Sequence, residues 1–429
     1  MGEMTEHTSI NIIEDELVSS ILRDIATVSG LAAKCCIYRV HDNLRALKER
    51  TYSPHLVSIG PLHHGNLKSM EEHKWLYLKS FLGPNPLMLV ENYVQVFRGF
   101  EVDARRCYAE TFSSLSSNEF VKMMLLDGCF IIELFLRYRF NDRRQDDDPI
   151  FNTSWMLSSL NRDLMLLENQ IPFFILEYLI TSNQVDLHPN PSKYLTESAL
   201  CFFSGMMPIR LQMRPRSLSN NHLLDLVRNA LLPPHVERNM SQDIRNIKLI
   251  PCAMKLQQFG IKFKKSDDLN LLSLKFKNGV LEIPPLKIQD VTEPLLRNLI
   301  AFEQCHIGCT NEFTSYAFLM DSLISNKNDV EILQNHGIID HWLGSDEDVM
   351  GILNKLCIEV NLDYEFYFSE LCEQVNNYCK MKWHRWRADL RRDYFHNPWA
   401  WLSVIAALLI IIFTFLQTVF SIVTYVKTY

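Results

Sequence analysis

The sequence predicts a mainly α-helical globular body with a small β-hairpin, followed by one C-terminal transmembrane helix. Three observations predict this. Apolar residues recur at steps of three and four through most of the chain. One stretch, "LLSLKFKNGVLEIPPLKI", has two strand-like runs joined by Asn278-Gly279, the preferred pair for a two-residue hairpin turn. From Trp399 to Val423 there are 25 residues without a charge, enough helix to cross a bilayer.

Composition sets the frame. With 47% hydrophobic and 22% charged residues, a chain of 429 residues can bury a sizeable core. The net charge of −7, with both signs interspersed, argues against a nucleic-acid partner. No zinc-finger, P-loop or dinucleotide fingerprint appears. The start, "MGEMTEHTSINIIEDELVSS", lacks the basic beginning and apolar core of a signal peptide, and Gly2 has no Ser or Thr at position 6 for myristoylation. Eleven cysteines, an odd number, sit mostly in apolar helix-like runs (Cys129, Cys201, Cys357, Cys372). They read as reduced thiols of a cytosolic compartment.

The elements follow in order. Residues 1–34 form an N-terminal arm and 35–396 a globular domain. "SMEEHKWLYLKSFL" reads as a helix capped by Ser69 with Glu72, its apolar stripe being Trp75, Leu78 and Leu82. "SNEFVKMMLLDGCFIIELFLRYRF" reads as a core helix, because Asp127, Glu133, Arg137 and Arg139 interrupt it too often for a membrane span. "NDRRQDDDP" is a charged loop. "SWMLSSLNRDLMLLENQIPFFILEYLI" reads as two helices parted near Gln170-Ile171-Pro172, and "LTESALCFFSG" as a helix stopped by its glycine. "PIRLQMRPRSLSNN" is a basic linker. The hairpin covers about 271–284, with "GIKFKK" upstream as a possible third strand, and short helices follow from Glu293 to Asn361. A juxtamembrane basic helix is expected over about 364–396, with Cys372, Val375, Cys379, Trp383, Trp386 and Leu390 on one face. It either lies on anionic lipid or, as the sequence favours, packs on the body.

The transmembrane helix is placed at 397–426, leaving a tail of 427–429. Asn397 is a suitable cap and Pro398 suits the first turn. Trp399 and Trp401 at one end and Tyr425 at the other fit interfacial aromatic belts. Arg385, Arg387, Arg391 and Arg392, with Lys380 and Lys382, precede the span, and Lys427 follows it. The positive-inside rule then puts the body in the cytosol, with insertion after synthesis as in a tail-anchored protein. The expected partners are the lipid bilayer and other proteins. Neither plasma membrane nor endomembrane is indicated. Two sequons, at Asn152 and Asn239, matter only for a lumenal body.

A family resemblance rests on ordered blocks. "CCIYRVHDNLRALKERTYSPHLVSIGPLHHG", "MEEHKWLYLKSFL", "EFVKMMLLDGCFIIELFLR" and "DLMLLENQIPFF" come first. "LKFKNGVLEIPPL", "RNLIAFEQCH", "SYAFLMDSLI", "GIIDHWLG" and "WRADLRRDYFHNPWA" follow. From about residue 35 to 426 the chain closely resembles the plant family called domain of unknown function 247, or uncharacterised protein family 0481. It departs at Leu62, where the family often has an aromatic, and near His235 to Asn246, where members are often longer. The resemblance implies single-pass membrane proteins with a C-terminal anchor. Some relatives in grasses are linked to self-incompatibility in pollen, which implies recognition or signalling. It supplies no catalytic residues and no cofactor.

Chemistry must therefore be read from the residues. "SIGPLHHG" holds adjacent His63 and His64 in a tight loop, with His55 and His73 on either side. Metal or proton chemistry there competes with a partner-binding loop and with hydrogen-bonded structural histidines, which the sequence favours. "FEQCHIGC" offers Cys305, His306 and Cys309 as half a zinc site, without a second pair at finger spacing. Cys35-Cys36 cannot easily hold one ion together. Asp127, Glu133, Glu168 and Glu177 lie in apolar runs; ion pairs with Arg45, Arg50, Arg137 or Arg162 are the favoured reading, and a hydrolase pair the rival. Asp127 and Glu133, six apart, do not share a helix face. Glu168 beside Asn169 and Gln170 suggests a hydrogen-bond network at a helix end. The expected function is a membrane-anchored recognition, signalling or scaffold protein. The alternative is an enzyme built around His63, His64 and Glu168.

Overall fold

The computed structural model describes residues 17–21, 35–83, 86–182, 190–207, 209, 211, 219–233, 248–268, 270–362, 366–381 and 398–428. It is mostly helical, as expected. The body's helices are α1 (Asp42–Leu47), α2 (Glu71–Leu82), α3 (Pro86–Arg106), α4 (Ser117–Arg139), α5 (Pro149–Asn152), α6 (Ser154–Asp163), α7 (Phe173–Ser182), α8 (Pro191–Met206) and α9 (Leu223–Leu231). After the short α10 (Ala253–Gln258) come strands β1 (Lys262–Lys265), β2 (Lys275–Lys277), β3 (Val280–Ile283) and β4 (Leu286–Ile288). Then follow α11 (Thr292–Cys305), α12 (Glu312–Leu323), α13 (Lys327–Asn335), β5 (Ile339–His341), α14 (Asp346–Lys355), α15 (Ser369–Lys380) and α16 (Pro398–Thr428).

Helix α4 is the axis of the first half. Ser116 and Glu119 close a capping box at its start. From Phe120 to Arg137 almost every side chain is buried, so the helix is covered on all sides by α2, α3, α7 and α8. Each buried charged residue within that run has an ion-pair partner. Arg137 joins Glu133 at 2.9 Å and Asp148 at 2.7 Å, and Asp127 meets Lys74 at 2.8 Å. The acids point to different neighbours, as their spacing required.

The hairpin forms where the sequence put it. Asn278 and Gly279 both take positive φ, which a type I′ turn requires, and β2 pairs antiparallel with β3. "GIKFKK" does supply β1, which joins β3 in parallel. A second parallel pair, β4 with β5, was not expected; "IDH" in β5 is too short to show a period.

Three local expectations fail. Ser69 does not cap α2, which starts after Met70 without a side-chain cap. Of the expected stripe, Leu78 and Leu82 are buried but Trp75 is exposed; α2 buries Lys74, Tyr77 and Phe81 beside them, because the buried cation at position 74 is satisfied inside. Gly205 does not stop α8, which runs on to Met206. A Cβ there would lie 1.9 Å from the Tyr138 hydroxyl, so the glycine admits a close neighbour.

All eleven cysteines are free thiols. The expected helix over 364–396 is described from Ser369 to Lys380, after which Met381 is extended. Cys372 and Val375 are buried as expected. Residues 382–397, with Arg385, Arg387, Arg391, Arg392 and Asn397, lie outside the described residues, as does most of the basic linker. Helix α16 carries Trp399 and Trp401 near one end and Tyr425 near the other. Its window Ile405–Ile422 is long and apolar enough to cross a membrane, and none of it is buried. Thr414 and Thr418 donate to the carbonyls of Ile410 and Thr414, so their hydroxyls are satisfied by their own helix.

His222 caps α9 from a fully buried position. Its Nδ1 accepts the Asp225 N–H at 3.2 Å, and its Nε2 lies 3.1 Å from the Cys36 carbonyl, which ties the chain's entry into the body to α9. Burial holds its pKa down at about 4, against an ordinary 6.5. The unfolded imidazole therefore binds a proton first as pH falls. Stability from this group is present above about 6.5 and is lost as pH drops toward 4, on the order of 3 kcal/mol in all. Denaturant unfolding in micelles across that window should show the loss, and His222→Asn should flatten it.

Candidate functional site

The segment "HLVSIG", residues 55–60, crosses the interior with no strand partner. Its backbone groups are met by side chains. Asp163, the last residue of α6, accepts the N–H groups of His55, Leu56 and Val57 at 2.7–3.1 Å. Asn169 accepts from Ile59 at 2.7 Å, and Asp127 accepts from Gly60 at 2.8 Å. Lys74 Nζ donates to the Ser58 carbonyl at 2.6 Å. Gly60 has φ +71°, and a Cβ there would sit 2.4 Å from the Gln170 carbonyl oxygen.

"ENQ", residues 168–170, runs beside this segment. Asn169 Nδ2 donates to the Val57 and Asp163 carbonyls, each at 3.0 Å. Gln170 Nε2 donates to Leu164 and Leu166, and its oxygen accepts from Leu224 N–H. Glu168 accepts from Val40 N–H at 2.7 Å and from the Arg45 guanidinium. His63 Nε2 lies 3.1 Å from its other oxygen, close enough for an ion pair but not aligned as a hydrogen bond. Burial would raise the Glu168 carboxyl. His63, Arg45 and the Val40 N–H outweigh that and hold it below the ordinary carboxylate range. Glu168 is thus a sealed anion, a poor proton donor and a weak base.

The structure brings His63 and Glu168 together and leaves His64 out. His63 is buried, whereas His64 is exposed on the same turn. Neither His63 nor Glu168 lines the open depression at Glu49, Arg50 and His55 or the groove described below. Of the other acids, Glu133 pairs with Arg137 as expected, Asp127 pairs with Lys74, and Glu177 accepts from Ser192.

The "FEQCHIGC" residues also separate. His306 stacks on Phe302 and its Nδ1 lies 3.1 Å from the Tyr38 hydroxyl. Burial pushes Cys305 up to about 11 and Cys309 to about 12, so both are thiols at neutral pH. Among the described residues no group of three or more His, Cys, Asp or Glu is arranged to hold a metal.

Sequence reasoning missed Glu303, in the same block. It accepts the N–H groups of Phe313 and Thr314, capping α12 from another helix, and pairs with Arg228 at 3.1 Å. Burial pushes its carboxyl up to about 7. A signal existed: Glu303, like Asn298, is a polar residue in an apolar helical run, the criterion that singled out Asp127.

A second feature is an apolar groove of about 790 Å³ between α2, α3 and α4. Leu78, Leu82, Val90, Val94, Val121 and Leu125 line it. Lys79, Arg98 and Lys122 rim it, with Lys122 Nζ 5.1 Å from the centre of the exposed Trp75 ring. Its lining has no acid and no histidine.

Comparison with known proteins places the chain. The profile of a plant protein family of unknown function, domain of unknown function 247, matches residues 37–413. The chain belongs to this family. A relative from Arabidopsis thaliana, UPF0481 protein At3g47200, is 33% identical, covering 92% of this chain and 87% of the relative. Putative UPF0481 protein At3g02645, from the same plant, is 22% identical and covers 90% of each. No solved structure matches. The family match begins at Ile37, near the first described residues of the body, and ends inside α16. The family blocks "DLMLLENQIPFF" and "SPHLVSIGPLHHG" thus meet in one network.

If that network is structural, Glu168→Ala strands Arg45 and should cost about 3–5 kcal/mol in denaturant unfolding. His64→Ala should stay within about 0.5 kcal/mol. A Glu168→Ala protein as stable as the parent would show that the carboxylate is kept for something other than the fold.

Proposed function

We propose that the chain is a membrane-tethered recognition or scaffold protein, its body in the cytosol and the groove between α2, α3 and α4 its protein-docking face. One observation carries the reading. The buried acids singled out by sequence, Asp127, Glu133 and Glu168, are ion-paired to Lys74, Arg137 and Arg45 and line neither described hollow, while the 790 Å³ groove has apolar walls and a cationic rim. Converging titratable groups in a pocket mark an enzyme; an open apolar groove marks binding. The links of some grass relatives to self-incompatibility agree with recognition. Helix α16 supplies the tether, and the basic residues before it favour a cytosolic body.

Two measurements test this. Asn152 is exposed, so a lumenal body would carry glycan there. In sealed plant microsomes Asn152 should stay unmodified and added protease should digest the body; a glycan or a protected body would overturn the orientation. Proximity labelling should yield a set of neighbours that Val94→Glu removes while expression and membrane association persist. An unchanged set would count against the groove.

A further inference from the structure

We infer that the N-terminal arm occupies this groove in the resting protein, as an acidic amphipathic helix laid along α3. The inference rests on the groove being a docking face, and adds what covers it.

The arm has the complementary chemistry. Leu17, Val18, Ile21, Leu22 and Ile25 recur at helical spacing, and residues 17–21 form a helical turn with Leu17, Val18 and Ile21 exposed. The first 34 residues hold six acidic and two basic side chains, with Glu14, Asp15 and Glu16 running up to the apolar stripe. The groove offers apolar walls, the cations Lys79, Arg98 and Lys122, and no anion. An apolar helical face with acids beside it matches that surface in both respects.

The arm also reaches. Cys36 and Ile37 both donate to the Cys107 carbonyl, one residue beyond the end of α3, so the residues that follow the arm are anchored at that end. Val94 lies about 20 Å back along α3 and Val90 about 26 Å, at 1.5 Å per residue. Residues 26–34 separate the stripe from the body and span up to about 30 Å when extended. The tether is long enough for the groove with little slack, which keeps the local concentration of the arm high. A partner would then have to displace the arm, and an acidic amphipathic helix is the chemistry that competes.

The test uses the full-length chain in lipid nanodiscs, with the photoreactive residue benzoylphenylalanine in place of Ile21. Irradiation should crosslink the arm to residues 75–98 or 118–125 of the same chain. Reversing the rim with Arg98→Glu and Lys122→Glu should lower the yield about fivefold or more, and adding Asp15→Lys and Glu16→Lys should restore it. Crosslinks to lipid, to a second copy or elsewhere on the body would overturn the inference. A second probe at Val94 separates the two readings. If it captures an added acidic amphipathic peptide while the Ile21 probe misses the groove, the docking face stands and its occupancy by the arm falls. If the Val94 probe captures neither arm nor peptide, both fall.

Discussion

Residues 55–60 carry backbone through the interior with no strand beside them, and the rest of the body is arranged to answer those polar groups. A buried N–H without a partner costs roughly 1–3 kcal/mol, and this segment holds several in a row. Asp163, Asn169, Asp127 and Lys74 supply the bonds that a neighbouring strand would otherwise give. Those four side chains come from three places: α2, α4 and the junction between α6 and α7. Fixing one short segment therefore fixes the mutual position of three helical regions. Glu168 extends the same logic to the entering chain, by way of Val40, Arg45 and His63.

The second half repeats the device. Asp329 accepts N–H groups from Met254, Ser325 and Asn326, and Glu303 caps α12. Buried carboxylates act here as acceptors for irregular backbone and for helix ends. Their worth lies less in net stability than in specificity, because a buried ion pair roughly breaks even against an apolar isostere while half of one is severely penalised. Apolar packing supplies the cohesion, and the acids select one arrangement of the packed helices.

Much of this was legible. Asn278-Gly279 specified its turn because few other residue pairs take two positive φ angles. The uncharged run after Pro398 and the mixed run of α4 were separable because charge is tolerated in a protein core only when paired. The failures share a cause, in that they depend on what lies across the interface. Lys74 is buried and Trp75 exposed, since Asp127 and the Ser58 carbonyl wait for a cation on that face. Gly205 is small for the sake of Tyr138, not to end a helix. The β4–β5 pair joins segments of three residues, too short for any pattern. At the site, the sequence correctly put Glu168, Asn169 and Gln170 in a network. It could not say that Asn169 would bond the backbone of Val57 and Ile59, about 110 positions earlier, or that Glu168 would meet Val40 and Arg45.

The bond between Tyr38 and His306 spans 268 positions, and that between Asn43 and Glu359 spans 316. Contacts so distant along the chain close late and slowly. At roughly 5–20 residues per second, a ribosome takes on the order of 15–50 s to travel from Tyr38 to its partner. Until then the entering segment must wait with its hydrogen bonds unmade and its apolar neighbours open to chaperones. Helix α16 is made later still, after every residue of the body. The cell therefore meets a nearly folded body before it meets the long apolar helix, and folding the body and handling that helix become consecutive tasks.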